Sequence, residues 1–301
     1  MNDYKKAYLE LHVAVLLFGF TAILGDLIDL SAFVMVWWRM LITAFSLLFL
    51  IRFGQRLRQM PRKLIAAYMG IGFLVALHWV CFFGSIKYSN ASVCLVCMAT
   101  TSLFTSFLEP LITRQKFKWY ETAIGLVIIP GMMLVVNNID SAMWLGIFLG
   151  LIAAFLAALF GTLNKRLIDK ADPLNITFLE LGSGWLFLSI LFPFYFQQVP
   201  DAGFWPSPMD WLYLGILSLL CTTLAYVLAL RALKYLSAFA SNLTINLEPV
   251  YGILLAIIIL KEHHELSLGF YWGCAIIIAS VLGYPFLRNR FETSISEETV
   301  N

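Results

Sequence analysis

Charge is scarce in this chain: Asp, Glu, Lys and Arg make up 13% of 301 residues, against 61% hydrophobic residues and a mean hydropathy of +0.85. A water-soluble domain of that composition could not cover its own apolar surface, so lipid is the expected solvent. Long polar stretches are missing too. The longest connection between apolar runs lies near residues 197–209, with Pro200, Pro206 and Pro208, and no soluble domain fits anywhere. No P-loop, GxSxG, HExxH or GxGxxG occurs in a fitting context, so ATP-driven pumping and hydrolytic catalysis both lack residues. No cofactor, no bound metal and no nucleic-acid partner is expected. The first apolar run follows Lys5 and Lys6 and reaches Asp26 without a small-residue cleavage site, which reads as a retained helix rather than a secretory signal. No lipidation motif is visible.

What the chain does have is ten apolar runs of about the 20 residues a helix needs to cross hydrocarbon with its backbone satisfied internally. They lie near residues 8–25, 31–51, 64–85, 90–112, 120–137, 143–163, 174–197, 210–230, 236–260 and 267–287. The expected fold is an all-α membrane protein of ten transmembrane helices forming one integral bundle. With the N-terminus inside, seventeen of the twenty basic residues fall in cytoplasmic segments, Lys87 and Lys261 fall outside, and Arg39 lies within a span. Positive charge is retained on the cytoplasmic side, so both termini are expected there, in a cytoplasmic (inner) membrane.

The second half repeats the layout of the first. Ile86-Lys87-Tyr88 before span four matches Leu233-Lys234-Tyr235 before span nine, and Leu27-Ile28-Asp29 matches Leu167-Ile168-Asp169. Five spans per copy make the copies antiparallel, and the loops agree: the connection after span two is basic, whereas its counterpart after span seven has no Lys or Arg. Residues 1–140 are therefore read as the first five-helix repeat, 141–288 as the inverted second, and 289–301 as a cytoplasmic tail. Inverted-repeat carriers place the substrate at mid-depth between the halves.

Several motifs resemble the EamA-type branch of the drug/metabolite transporter superfamily across nearly the whole chain. They are Phe18-Gly19-Phe20-Thr21, Trp37-Trp38-Arg39, the run from Gly84 to Ala91, Ala232-Leu233-Lys234-Tyr235, Leu247-Glu248-Pro249-Val250 and Lys261-Glu262. The resemblance implies a secondary transporter that exports a small organic metabolite, amino-acid-like or other. One departure is that the first-half helix ends in Arg114-Gln115 where the family often has Gly-Glu. Glu109 lies 22 residues beyond Lys87, whereas Glu248 lies 14 beyond Lys234, so the repeat frame aligns Glu248 with Thr101 instead.

The chemistry of a carrier resides where polar groups survive at lipid depth. Glu248 is the foremost candidate, because Pro249 beside it removes a backbone donor and should open the helix. Ser241, Thr244, Glu248 and Tyr251 form one stripe at helical spacing, with Asn242 and Asn246 on a second. Cys94, Cys97, Thr101, Thr105 and Glu109 form the related face of span four. Arg39 needs a carboxylate, a carbonyl cluster or an anionic substrate, and Glu180 is its counterpart in the repeat. Two readings stand: Arg39 holds a substrate carboxylate while Glu248 or Glu180 exchanges a proton, or these groups make structural salt bridges. His12 and His78 are further protonatable candidates. Trp37, Trp38, Trp79, Tyr226 and Tyr251 offer stacking surfaces. Thr162 and Asn164 lie too near the inner end of span six for assignment to substrate.

Three patterns point elsewhere. Cys94-Leu95-Val96-Cys97 is formally a C-x-x-C motif, making a membrane thiol oxidoreductase the alternative of a different class; an importer or facilitator of the same fold is another. His263-His264-Glu265 beside Lys261-Glu262 matches no strong metal spacing and reads as a solvated loop. Gly146-x-x-x-Gly150 and Gly269-x-x-x-Gly273 permit close helix approach, within the bundle first and in a homodimer second.

Overall fold

The structure, a computed structural model, describes residues 3–50, 60–135, 143–200, 203–248, 250–251 and 268–298. These form helices α1 (Asp3–Leu27), α2 (Ala32–Leu50), α3 (Arg62–Tyr88), α4 (Ala91–Thr113), α5 (Trp119–Val135), α6 (Trp144–Leu167), α7 (Pro173–Gln198), α8 (Pro208–Ser218), α9 (Ala225–Leu233), α10 (Ala238–Ile245) and α11 (Leu268–Glu298), and no strand occurs among the described residues. Counting α8 and α9 as one continuous span, eight segments among the described residues are long and apolar enough to cross a membrane. α5 is a shorter apolar helix. Residues 252–260, most of the second half of span nine, and the group from Lys261 to Glu265 lie outside the described residues.

Helix starts are fixed by short polar side chains. Asn90 accepts from the Val93 N–H at 2.8 Å, Asp172 from Leu174 at 3.0 Å with Pro173 in the first turn, and Ser237 from Ala240 at 3.0 Å. Ser207 and Asp210 make a reciprocal capping box at the start of α8. Each such cap is worth about 1 kcal/mol. α4 stops where Arg114 turns left-handed, at φ 59°. The turn joining α1 to α2 is tied down twice: the Asp29 N–H donates to Asp210 Oδ1 at 3.0 Å, and Lys87 Nζ donates to the Ile28 carbonyl at 3.0 Å.

Helices of the two halves interleave. α3 packs on α6 and α7, α2 on α7 and α8, α1 on α8 and α9, α4 on α6 and α10, and α5 on α11. One apolar core joins α2, α3, α7 and α8, with Met35, Tyr68 and Phe83 fully buried. A second joins the start of α1 to α4, α5, α10 and α11 through Leu11, Ile128, Phe239 and Tyr284. The α3–α7 contact is close because both helices carry glycine there. A side chain on Gly72 would run into the Glu180 carbonyl and Ser183 Oγ, while Gly184 faces the Gly72 carbonyl and Met40. Gly72→Ala should therefore cost roughly 1–3 kcal/mol through overpacking, whereas Gly70→Ala, which has open space, should not. Thermal unfolding of the two purified variants in detergent checks this.

Gly146 and Gly150 face Ser89, Ser85 and Cys97, so this GxxxG serves packing inside the bundle. Two departures from the hydropathy reading concern helix form. α11 runs on to Glu298, through the segment expected as a tail, because hydropathy marks the apolar stretch and not the helical polar residues after it. Span eight contains a π-turn over Leu219–Leu224, which a period-of-3.6 reading does not anticipate.

Candidate functional site

The π-turn builds one wall of the site. Its wider winding lets Thr222 Oγ1 donate to the Leu217 carbonyl at 2.7 Å and Thr223 Oγ1 to the Ser218 carbonyl at 3.0 Å, each five residues back. Thr222 Oγ1 in turn accepts from Arg39 Nε at 2.7 Å. Arg39, 2% exposed, lays its guanidinium 3.9 Å above the centre of the Trp79 ring, a cation–π contact that offsets part of its desolvation. No carboxylate among the described residues lies within 4.0 Å of it. Neither of its Nη groups donates a hydrogen bond to the described residues.

The opposite wall comes from an interrupted helix. α10 ends at Ile245; the Asn246 and Leu247 N–H groups donate to carbonyls only three residues back, at 3.2 and 3.0 Å, and the four-residue step resumes with Tyr251 N donating to Leu247 O at 2.9 Å. Glu248 follows immediately on this tightened turn. Pro249, expected to open the helix, lies outside the described residues. The Glu248 carboxylate has no cation within 4.0 Å and no hydrogen bond among the described residues.

Arg39 and Glu248 line the same cavity of about 160 Å³. Phe18, Trp79, Phe82, Met98 and Phe160 make much of its surface apolar. His78 reaches it with Nδ1 held against the Ala153 carbonyl at 2.8 Å; the carbonyl accepts, so Nδ1 carries the proton. The hydroxyls of Thr21, Thr101 and Ser241 are buried on this wall without a hydrogen bond to the described residues.

The remaining sequence candidates separate into distinct places. Asn242 and Asn246 reach the cavity while bridging α10 to α4: Asn242 Nδ2 donates to Thr105 Oγ1 at 2.7 Å and Asn246 Nδ2 to Ser102 Oγ at 3.2 Å. Glu109 completes this ladder, its carboxylate accepting from the Ala238 and Phe239 N–H groups at 2.9 and 2.7 Å. Glu109 thus caps α10 rather than lining the cavity. Thr244 donates to the Ala240 carbonyl within its own helix at 2.8 Å. His12 Nδ1 pairs with the Tyr251 hydroxyl at 2.7 Å. Trp38 lies in an aromatic cluster with Phe204 and Trp211, its indole N–H donating to the Phe204 carbonyl at 2.9 Å. Glu180 is fully buried behind the wall, bonded to Tyr226 and Asn164.

Cys94 and Cys97 are both buried, and their thiols turn to different helices: Cys94 to the Phe82 carbonyl at 3.4 Å and Cys97 to the Ile147 carbonyl at 3.7 Å. Thr222 escaped sequence reasoning, and Asn164 and Tyr226, though noticed there, were not given the roles they have. Thr222 becomes an Arg39 partner only through the π-turn, and Asn164 and Tyr226 enclose Glu180 from helices far apart in sequence. The one available signal for Asn164 was its side-chain amide at lipid depth.

A multi-span helical bundle packed around a cavity, with a guanidinium and a carboxylate facing it without an ion partner among the described residues, has the form of a membrane transporter. The chain belongs to the EamA-like transporter family, whose profile matches residues 5–137 and again 144–284. It is 24% identical over 259 residues to an uncharacterized transporter YxxF of Bacillus subtilis, covering 83% of this chain and 81% of that one. An uncharacterized transporter of Clostridium kluyveri is 26% identical over 209 residues, 66% of this chain and 65% of its own. GDP-fucose transporter 1 of Dictyostelium discoideum is 21% identical over 202 residues, 66% of this chain and 51% of its own. A solved crystal structure superposes with a TM-score of 0.75 at 14% identity, covering 96% of this chain and 99% of that one, a likeness of fold.

Proposed function

We propose that this protein is a secondary carrier exporting a small organic metabolite, amino-acid-like in its charges, across the cytoplasmic membrane by alternating access. The observation that carries the reading is the pair Arg39 and Glu248 in one cavity, each lacking an ion partner among the described residues. A cargo bearing both an anionic and a cationic group satisfies both; a simple anion leaves the Glu248 carboxylate without a partner unless it takes up a proton, and a simple cation leaves the buried Arg39 without one. The apolar wall then takes the rest of the cargo. A nucleotide sugar, as named for the Dictyostelium relative, suits the site less well: its diphosphate would face one guanidinium and a repelling carboxylate, in a cavity of about 160 Å³.

The architecture proposed is ten spans in two inverted five-helix repeats, residues 1–140 and 141–288, with both termini cytoplasmic as the basic loops indicate. Helix pairing supports it. A two-fold that exchanges α1 with α6 and α3 with the α8–α9 span must pair α1 with α8–α9 if it pairs α3 with α6, and both pairs occur. Likewise α2 meets its counterpart α7, α4 meets α10 and α5 meets α11.

Proton exchange at Glu248 is the coupling part of this reading, a passive facilitator or importer being the same fold run differently. Cells expressing wild type should export at least one compound that cells with matched membrane levels of Glu248→Gln do not, in untargeted mass spectrometry of the medium. Export by the variant with an unchanged response to the pH gradient would refute the role given to Glu248.

A further inference from the structure

One carboxyl is left out of the cavity and still has unspent chemistry. Glu180 is 0% exposed. Its Oε2 accepts twice, from the Tyr226 hydroxyl at 2.7 Å and from Asn164 Nδ2 at 3.3 Å. Its Oε1 makes no hydrogen bond to the described residues, and neither does the side-chain oxygen of the same Asn164. Two buried acceptors without donors, on two side chains already joined by one N–H···O bond, are both satisfied if the carboxyl carries a proton and donates it to the amide oxygen, as in a cyclic acid–amide pair. We propose that Glu180 is a proton-binding site: its carboxyl carries a proton on Oε1 and donates it to Oδ1 of Asn164.

The surroundings favour a proton over a cationic partner. No Lys, Arg or His nitrogen among the described residues lies within 4.0 Å of Glu180, and the buried or half-buried basic groups on α2, α3 and α6 make contacts of their own. From α2, Arg39 is held by Thr222 and Trp79. From α3, His78 is bonded to the Ala153 carbonyl, and Tyr68 donates to the Leu167 carbonyl. From α6, Lys165 donates to the carbonyls of Leu233 and Lys234. From α9, Tyr226 supplies a neutral hydroxyl. A metal cation would want several more oxygen ligands, whereas the carboxyl's side-chain partners among the described residues are the Tyr226 hydroxyl and the Asn164 amide, both already donating to it. Tyr226 and Asn164 both line the central cavity, so a single layer of side chains separates the proton from the cargo.

The site rests on geometry alone and stands whatever the cargo, so its test needs no substrate. Infrared spectra of the purified full-length protein at neutral pH, in H₂O and D₂O, should show a protonated-carboxyl C=O band that is deuterium-sensitive, absent from Glu180→Gln and retained in Glu248→Gln. Asn164→Leu removes the acceptor and should move that band to the position of an acid without a hydrogen-bond acceptor, which keeps the test decisive if Glu180→Gln does not fold. Identical spectra for wild type and Glu180→Gln would overturn the proposal. So would an ionised Glu180 whose carboxylate bands respond to added sodium, the outcome expected of a metal-cation site.

Discussion

Glu109→Ala is expected to destabilise the protein by about 3–5 kcal/mol, measured as loss of thermal or SDS-unfolding stability in detergent. The removed carboxylate accepts from two consecutive backbone N–H groups, Ala238 and Phe239, in a buried position. Hydrogen bonds to a charged group contribute roughly 1.5–3 kcal/mol each, and an orphaned buried donor costs about 1–3 kcal/mol. The negative charge also sits at the start of a helix, where the macrodipole favours it. Glu109→Gln keeps one acceptor oxygen and should lose about half as much. Had Glu109 been a proton carrier with no structural duty, both variants would unfold like wild type while transport fell.

Arg39→Lys is the second variant with a large expected effect. Lysine keeps the charge but loses the planar fork, the Nε contact to Thr222 and the flat face over Trp79, and these differences are why the two residues are not interchangeable at a bidentate site. If Arg39 holds an anionic group of the cargo, apparent affinity should weaken about 10–100-fold, on the order of 1.4–2.8 kcal/mol, at equal expression. The readout is the concentration dependence of uptake or efflux in proteoliposomes, using the compound that metabolite profiling identifies. Unchanged affinity in a stably folded Arg39→Lys would mean that the guanidinium serves the bundle and not the cargo. The structural salt bridge weighed against the clamp does not occur within 4.0 Å among the described residues.

The eight spans seen among the described residues were readable in the sequence because a single demand, internal backbone bonding across hydrocarbon, dictates both their length and their composition. Arg39 and Glu248 stood out for the complementary reason, that charge at such depth is costly. Side-chain partners were less readable. Glu109 and Glu180 have the same chemistry as Glu248 and similar apolar neighbours in sequence, yet one caps a helix and the other is sealed behind Tyr226. That difference is set by residues 129 positions away for Glu109 and 46 positions away for Glu180, which no local pattern encodes. The π-turn was hidden because one extra residue per turn leaves an apolar run apolar; the tightened turn at Asn246 and Leu247 precedes Glu248 directly, and Pro249, from which an opening was expected, lies outside the described residues.

The ladder between α4 and α10 has an electrical consequence for a cycle of the proposed kind. Two of its three rungs join an amide to a hydroxyl, so parting them carries no net charge through the membrane field. The third involves Glu109, which in the proposed orientation lies toward the cytoplasmic face, where little of the potential remains to be crossed. Moving a full charge across 100 mV is worth about 2.3 kcal/mol; separating these helices would exchange almost none of that. Any voltage dependence of transport would then belong to the cargo, to protons and to the cavity charges of Arg39 and Glu248, while the seam between α4 and α10 opens and closes at almost no electrical cost.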